Sequence, residues 1–333
     1  MVFYITGGAG YLGSNIIRAL LQEGHTVCTL VLPKDPAAAQ LPEGTLIMEG
    51  NLLNQEDVDR FFSAAAKENA TIIHCAAMVS IAWNVVDKVR QVNVEGTRSI
   101  VKGCLQYNLR LIHVASVHAI PEKPKGQAMT EISAFDPRLV VGGYAKTKAE
   151  AAALVVDAVF NHGLNAAVVF PSGIIGPGAQ EGNSLNKMLE DYLQGRLPAG
   201  IQGGYDFVDV RDCAQAIATL AQMPDKKGGY LLSGHHITIK EFFDAIHQHA
   251  DAGVKKVDLM IPAWLAYLAV PFYTLYDLIK KETPVFTRYA VYTLTRNAEF
   301  SNAKARKELG FTPRPVLDTV GDMVRWTKQK NAK

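Results

Sequence analysis

The sequence is short of the features that mark several protein classes. Four cysteines occur in 333 residues, Cys28, Cys75, Cys104 and Cys213, and no two form a CxxC pair. That spacing argues against a disulfide framework and a zinc site, so no metal is expected, and a reducing cytoplasm suits it. Charge of one sign is also scarce. Lys plus Arg number 34 against 32 Asp plus Glu, with no block of like charge. Nucleic acid is therefore not an expected partner. The opening MVFYITGG lacks the basic segment and the long apolar run of a secretion signal. Uncharged stretches long enough to span a bilayer are missing, with one exception. Leu259 to Tyr276 carries no charge and sits near the lower length limit for a span. It contains Pro262 and Pro271 together with Tyr267, Tyr273 and Thr274. It reads as an apolar helical cap over a pocket rather than a span, with association at a membrane surface left open.

What is present is the rhythm of an α/β protein. Apolar runs at Val2–Thr6, Thr26–Leu32, Thr45–Glu49, Thr71–Cys75, Arg110–Ala115 and Asn165–Phe170 read as strands. Helical stretches at Tyr11–Gln22, Asn54–Lys67, Asp87–Tyr107 and Tyr144–Phe160 lie between them, and Asn54 is placed to cap the second. Strands joined by helices of this length imply right-handed crossovers and a parallel sheet covered on both faces. The expected fold is a Rossmann-type doubly wound sheet with a smaller C-terminal substrate-binding region. The dinucleotide-binding domain is expected over 1–170, with returning segments near 205–235. The substrate region would occupy mostly 171–204 and 236–330. Tyr205–Val210 reads as a short strand, and a helix runs from Asp212 to about Gln222.

The loop Thr6-Gly7-Gly8-Ala9-Gly10-Tyr11-Leu12-Gly13 follows a strand and opens a helix. In that context Gly7 allows a tight turn, Gly10 lets backbone approach a pyrophosphate, and Gly13 lets the helix lie close to the sheet. The helix N-terminus offers free N–H groups and a positive dipole to phosphates. A nicotinamide dinucleotide is the expected cofactor, with Tyr11 and Leu12 beside it. The end of the second strand should read the adenosine ribose. There the chain reads Leu30-Val31-Leu32-Pro33-Lys34-Asp35, with neither acid nor base at Val31 or Leu32. Lys34 can reach a 2′-phosphate and Asp35 can reach ribose hydroxyls. Leu32 and Lys34 lean the expectation towards NADP(H) over NAD(H).

Tyr144 and Lys148 stand four apart on one helical face. A nearby cation lowers a tyrosine's pKa, which suits Tyr144 to proton transfer near neutral pH. Ser116, just after the fifth strand, supplies a second hydroxyl to polarise the same substrate oxygen. The YxxxK pattern is weak alone, since Tyr276–Lys280 matches it too. That second copy has no glycine loop or strand-end serine around it and reads as structural.

Together these motifs resemble the extended short-chain dehydrogenase/reductase (NAD-dependent epimerase/dehydratase) family. The resemblance runs through TGGAGYLG (6–13), IIHCAA (72–77), VNVEGT (92–97), VASVHA (114–119), YAKTK (144–148), PSGIIGPG (171–178), YDFVDVRD (205–212) and SNAKARKELGF (301–311). It implies Ser116, Tyr144 and Lys148 as the catalytic group, with Lys148 also holding nicotinamide ribose. It implies that Asn51 and Leu52 lie by the adenine and that Cys75, Ala76 and Ala77 pass beside the cofactor. Pro171 and Ser172 would lie near the nicotinamide, and Asn93 would support the central helix and its neighbouring loop. Asn51 departs from the acid often found there, and Ala115 from a serine. His118 is unusual and is read equally as a substrate contact or a surface loop residue. Met78 and Tyr205 are further substrate candidates. A homodimer through the 87–107 and 144–160 helices is implied by resemblance.

Tyr205 replaces the arginine that precedes the Asp-aromatic pair in sugar-nucleotide members, and residues 254–293 are apolar and aromatic. PSGIIGPG and YDFVDVRD also resemble the dihydroflavonol-reductase and 3β-hydroxysteroid-dehydrogenase branch. The expectation is an oxidoreductase of the alcohol/carbonyl type (EC 1.1.1) acting on a small or medium apolar substrate. Two alternatives stand beside it: a sugar-nucleotide epimerase or dehydratase with tightly bound NAD, and a non-catalytic NAD(P)-sensing module.

Overall fold

The computed structural model describes residues 1–179, 183–280 and 286–331, without the side chains of 274–280. The first half follows the expected alternation: β1 (Val2–Thr6), α1 (Tyr11–Gln22), β2 (Thr26–Val31), β3 (Leu46–Glu49), α2 (Gln55–Lys67) and β4 (Thr71–His74). Asn54 caps α2 by accepting the Asp57 N–H. Next come α3 (Asp87–Arg90), a π turn at Gln91–Glu95, α4 (Gly96–Tyr107), β5 (Leu111–Val114), α5 (Gly143–His162) and β6 (Ala166–Pro171). The second half holds β7 (Gly173–Ile175), α6 (Ser184–Leu193), β8 (Gly200–Ile201), β9 (Gly204–Asp209), α7 (Val210–Ala221), β10 (Gly228–Leu232) and β11 (His235–Thr238). It ends with α8 (Ile239–His249), β12 (Met260–Ile261), α9 (Ala263–Lys280), α10 (Arg288–Thr295), α11 (Ala303–Leu309) and α12 (Val316–Asn331).

Seven parallel strands form the main sheet in the order β10-β6-β5-β4-β1-β2-β3. Alternate side chains face opposite layers, as the two-residue strand period requires. Tyr4, Ile72 and Leu111 point towards α2, α4 and α5. Phe3, Ile5, Ile73 and Ile112 point towards α1, α7 and α11. The chain enters at β1, builds β2 and β3 to one side, then crosses to β4. That reversal opens a crevice at the C-terminal ends of β1 and β4, where ligands bind in such sheets.

A second sheet, β11-β9-β7, packs with α8 and α12 around Phe207, Phe242, Phe243 and Val320. A small pair, β12-β8, lies beside it. The Tyr205–Val210 strand thus belongs to the smaller sheet. The chain returns to the main sheet through α7 and β10. Strand β10 is not marked in the sequence, because it spans five residues and begins with Gly228 and Gly229. Ala305, Leu309 and Phe311 also join the main core, so the segment after 236 is not all cap. The helix expected over Asp87–Tyr107 is interrupted by the π turn.

The uncharged Leu259–Tyr276 segment forms β12 and most of α9, with Pro271 inside the helix. Among the described residues, no helix is long and apolar enough to cross a membrane.

Candidate functional site

The glycine loop closes the switch-point crevice from one side. Gly7 has φ +74, and a Cβ there would lie 2.6 Å from the Ala76 nitrogen. The loop therefore touches the chain leaving β4. A Cβ on Gly13 would lie 2.1 Å from the Gly7 carbonyl oxygen, so α1 cannot sit this close with any other residue. Gly10 differs: a Cβ there would meet only the Gly7 oxygen, at 3.1 Å. The space over Gly10 is otherwise open. Gly10 caps α1 without a side-chain hydrogen bond, and no acid occupies the first turn. The cradle thus combines an open backbone face with uncapped N–H groups, which is what a pyrophosphate requires. Leu12 packs on the main core. The buried Tyr11 hydroxyl meets no protein hydrogen-bond partner among the described residues.

At the end of β2, Leu32 is 52% exposed. Lys34 is exposed with φ +61. The Asp35 carboxylate accepts the Ala37 N–H at 2.9 Å and caps a short 3-10 turn, so this oxygen is already engaged. The Asn51 side-chain carbonyl accepts the Leu53 N–H at 2.9 Å, leaving a second lone pair. Leu52 rests against Gly96 at the start of α4.

Cys75 and Ala76 pass over Gly7, with the Cys75 N–H on the Thr6 carbonyl at 3.0 Å, and Ala77 continues the chain from there. Burial pushes the Cys75 thiol up to about 12. Asn93, in the π turn, accepts the Met78 N–H at 2.7 Å and donates to the Met78 carbonyl at 3.0 Å. Its amide also donates to Thr147 at 3.0 Å. Asn93 therefore ties the loop after β4 to α5. π turns recur at functional sites, and this one aims the amide inward.

Ser116 follows β5, and Tyr144 and Lys148 occupy the first turns of α5. Ser116 lies near enough to Tyr144 to pull its hydroxyl towards ionisation, and the Ser116 hydroxyl accepts the His118 N–H at 3.3 Å. Lys148 is buried and donates to the Val114 carbonyl at 2.9 Å. Burial raises Tyr144 to about 12, against the pull of Ser116. This corrects the expected lowering by Lys148. Desolvation dominates, because Lys148 is buried too and held at about 8. Tyr144 consequently keeps its proton at neutral pH.

Beneath Lys148 lie two histidines outside the sequence-predicted site. His74 bridges the Thr6 hydroxyl at 2.7 Å and the Thr97 hydroxyl at 3.0 Å. His113 lies 5.4 Å from it, ring to ring, and neither of its nitrogens meets a protein partner among the described residues. Burial holds His74 at about 3 and His113 well below its usual value, so both are neutral. Their signal was a polar residue inside each apolar strand run.

His118 is partly buried, with both ring nitrogens engaged. Its Nε2 lies 3.1 Å from the Tyr205 hydroxyl and its Nδ1 lies 3.0 Å from the Tyr289 hydroxyl. A neutral imidazole donates through one nitrogen and accepts through the other, so the two tyrosines play opposite roles. Burial holds His118 at about 4, which keeps it neutral. Its ring stacks on Tyr205 at 5.8 Å and meets Tyr144 edge-on at 6.1 Å. Tyr289 belongs to α10, and its ring lies where a Cβ on Gly142 would be, 2.2 Å away. Tyr289 lies outside the sequence-predicted site, since only tertiary packing brings it to α5.

Pro171 ends β6, and the buried Ser172 hydroxyl pulls on Asp206. Asp206 accepts the Gly234 N–H at 2.8 Å, and burial raises its carboxyl to about 6. The Tyr276 and Lys280 side chains lie outside the described residues. No group of three metal-ligating side chains occurs among the described residues.

The NAD dependent epimerase/dehydratase family model matches residues 3–236. "Sterol demethylase protein B" of Methylococcus capsulatus is 27% identical over 339 residues, covering 99% of each chain. A dihydroflavonol 4-reductase-like protein of Synechocystis sp. is 26% identical over 338 residues, or 97% of this chain and 94% of the relative. The crystal structure of gox2253 superposes with a TM-score of 0.82 at 26% identity, covering 99% of this chain and 98% of that one.

Proposed function

Because the chain belongs to the NAD-dependent epimerase/dehydratase family, we propose that it interconverts a carbonyl and an alcohol on an apolar substrate, with Tyr144 as acid/base. The observation that carries this reading is the meeting of Ser116, just after β5, with Tyr144 and Lys148 in the first turns of α5, where Lys148 donates to the Val114 carbonyl at the end of β5. The residues around Gly7, Gly10 and Gly13 fit a dinucleotide, with Cys75, Ala76, Ala77, Pro171 and Ser172 along its path. When bound, that cofactor supplies or takes the hydride at the substrate carbon.

The chain's own residues handle the oxygen and the proton. Ser116 and Tyr144 hold the substrate oxygen between two hydroxyls. In the reducing direction, Tyr144 gives its proton as negative charge develops on that oxygen. Lys148, one turn along α5, stabilises the resulting tyrosinate. Asn93 keeps the loop at Met78 and the start of α5 in register. Tyr205, His118 and Tyr289 present aromatic faces with their polar atoms mutually satisfied, which suits an apolar ring system. The likeness to a protein named for sterol demethylation supports the same substrate class. A sugar-nucleotide reaction fits less well, because Tyr205, and not a cation, precedes Asp206. The engaged Asp35 and the exposed Lys34 lean the cofactor towards NADP(H).

The test is Tyr144→Phe in a cofactor-oxidation assay over ketones and aldehydes. Turnover should fall by about 10²–10⁴-fold, the usual contribution of a positioned proton donor, with cofactor affinity little changed. Near wild-type turnover overturns the assignment. Cofactor that co-purifies, no net oxidation, and thermal stabilisation by UDP- or GDP-sugars alone would favour an epimerase.

A further inference from the structure

A run of large uncovered apolar side chains gathers on α9. Trp264, Leu268 and Phe272 are 65%, 61% and 76% exposed. Their spacing of four places them on one face of the helix. The opposite side is anchored narrowly: Ala266 packs with Ile201 and Val291. Tyr273 rests on Phe286, ring centroids 5.0 Å apart. No charged residue lies between Leu259 and Tyr276. Single exposed apolar residues are ordinary, but a continuous stripe marks a surface that meets an apolar medium.

A groove of about 770 Å³ runs along this helix, lined by Trp83 and Val141, by Tyr267 and Pro271 of α9, by Arg288 of α10 and by Arg296 just after it. The Arg288 guanidinium lies 4.2 Å over the Trp83 ring, and that of Arg296 lies 4.7 Å over the Tyr292 ring. Neither arginine pairs with a carboxylate among the described residues. Glu122, behind Tyr292, is engaged by the Tyr292 hydroxyl at 3.1 Å and the Asn297 N–H at 3.1 Å. The groove also abuts the catalytic wall. Val141 precedes Tyr144 by three residues, and Asn84, next to Trp83, presses its carbonyl on Gly143. Tyr292 stacks on Tyr289 at 6.4 Å, and Tyr289 holds His118.

We propose that the α9 stripe seats on an anionic lipid surface and that the groove passes an apolar substrate from that surface towards Tyr144. The second clause rests on the apolar-substrate reading, and the first does not. Charge complementarity selects the occupant. Two arginines without a carboxylate partner among the described residues, beside an apolar stripe, match anionic headgroups above acyl chains, and Trp and Tyr suit that boundary. Among the described residues, a second copy of this chain would bring no carboxylate from the stripe or the groove lining to meet those arginines.

The test is co-sedimentation of the full chain with vesicles, without substrate or cofactor. Phosphatidylcholine vesicles are compared with phosphatidylcholine–phosphatidylglycerol vesicles. Binding to the anionic vesicles should weaken at least tenfold in Trp264→Ser/Leu268→Ser/Phe272→Ser, with the melting temperature held as the folding control. Arg288→Gln/Arg296→Gln should remove the preference for phosphatidylglycerol, and high salt should do the same. Tyr144→Phe should bind vesicles as the parent does, so a failed oxidoreductase reading leaves this result standing. Anionic vesicles should lower KM for a membrane-dissolved ketone in the parent but not in the triple variant. A soluble aldehyde should show no such change. Absent vesicle binding, or equal binding by the triple variant, overturns docking. A dimer lost in the triple variant, without vesicle binding, assigns the stripe to a second copy. Binding without the KM change removes the groove clause alone.

Discussion

The two walls of the crevice are built in opposite ways. The glycine-loop wall is local. Gly7, Gly10, Gly13 and the start of α1 lie within a few residues of one another, and backbone contacts alone set their geometry. The aromatic wall is assembled from distant segments. His118 follows β5, Tyr205 sits on β9, and Tyr289 comes from α10, 171 residues after His118. The first wall tolerates no added atom at Gly7 or Gly13. The second is held by side-chain hydrogen bonds and ring contacts, which substitution can alter without unfolding the sheet. Under the proposed function, cofactor binding and substrate choice fall on separate walls, and substitutions should break each alone.

The largest effect should come from Gly13→Ala. The added methyl would fall 2.1 Å from the Gly7 oxygen and 2.8 Å from the Gly8 Cα, both backbone atoms that cannot swing away. Overpacking of this kind costs about 1–3 kcal/mol. Thermal unfolding should record the loss, and quenching of protein fluorescence by NAD(P)H should vanish. Binding like the parent's would mean that the cofactor does not lie on this loop.

The same contrast explains what the sequence discloses. The doubly wound sheet is legible because each strand is an apolar run and each helix a separate periodic stretch. The glycine loop and the Tyr144–Lys148 spacing are legible because their geometry is internal to one strand–helix junction or one helix. Tyr289 is not legible: nothing near it in the chain distinguishes it from Tyr267 or Tyr292. Its role depends on Gly142, whose missing side chain admits the Tyr289 ring. The sign of the Tyr144 shift is hidden for a related reason. Spacing reveals that Lys148 is near, but only packing reveals that both groups are desolvated.

A smaller and more selective effect is expected from His118→Phe. The ring shape survives, while the Tyr205 and Tyr289 hydroxyls each lose a partner. An orphaned buried hydroxyl costs about 1–3 kcal/mol, so kcat/KM should fall by roughly tenfold to a hundredfold. The cofactor dissociation constant should stay within a factor of about two, because His118 lies on the other wall. Equal losses in cofactor affinity and kcat/KM would show that the walls are coupled and would break the comparison.

The smallest effect probes the outer end of the local wall. Lys34 is exposed with φ +61, a left-handed conformation that costs a side-chain-bearing residue about 1–2 kcal/mol. A solvent-exposed ion pair is worth about 0.2–1 kcal/mol, so Lys34→Ala should weaken NADPH binding by roughly 1.5- to 5-fold and leave NADH unchanged. Alanine keeps the strained turn and removes the charge. Lys34→Gly removes the charge and relaxes the turn. Equal weakening for NADPH in both variants assigns the effect to the ammonium group. Recovery in the glycine variant assigns it to the turn after β2, whose next residue, Asp35, is already held by Ala37. No change in either variant makes Lys34 a surface residue. Cofactor choice would then rest on Leu32 and the backbone beyond it, leaving the glycine wall indifferent to the 2′-phosphate.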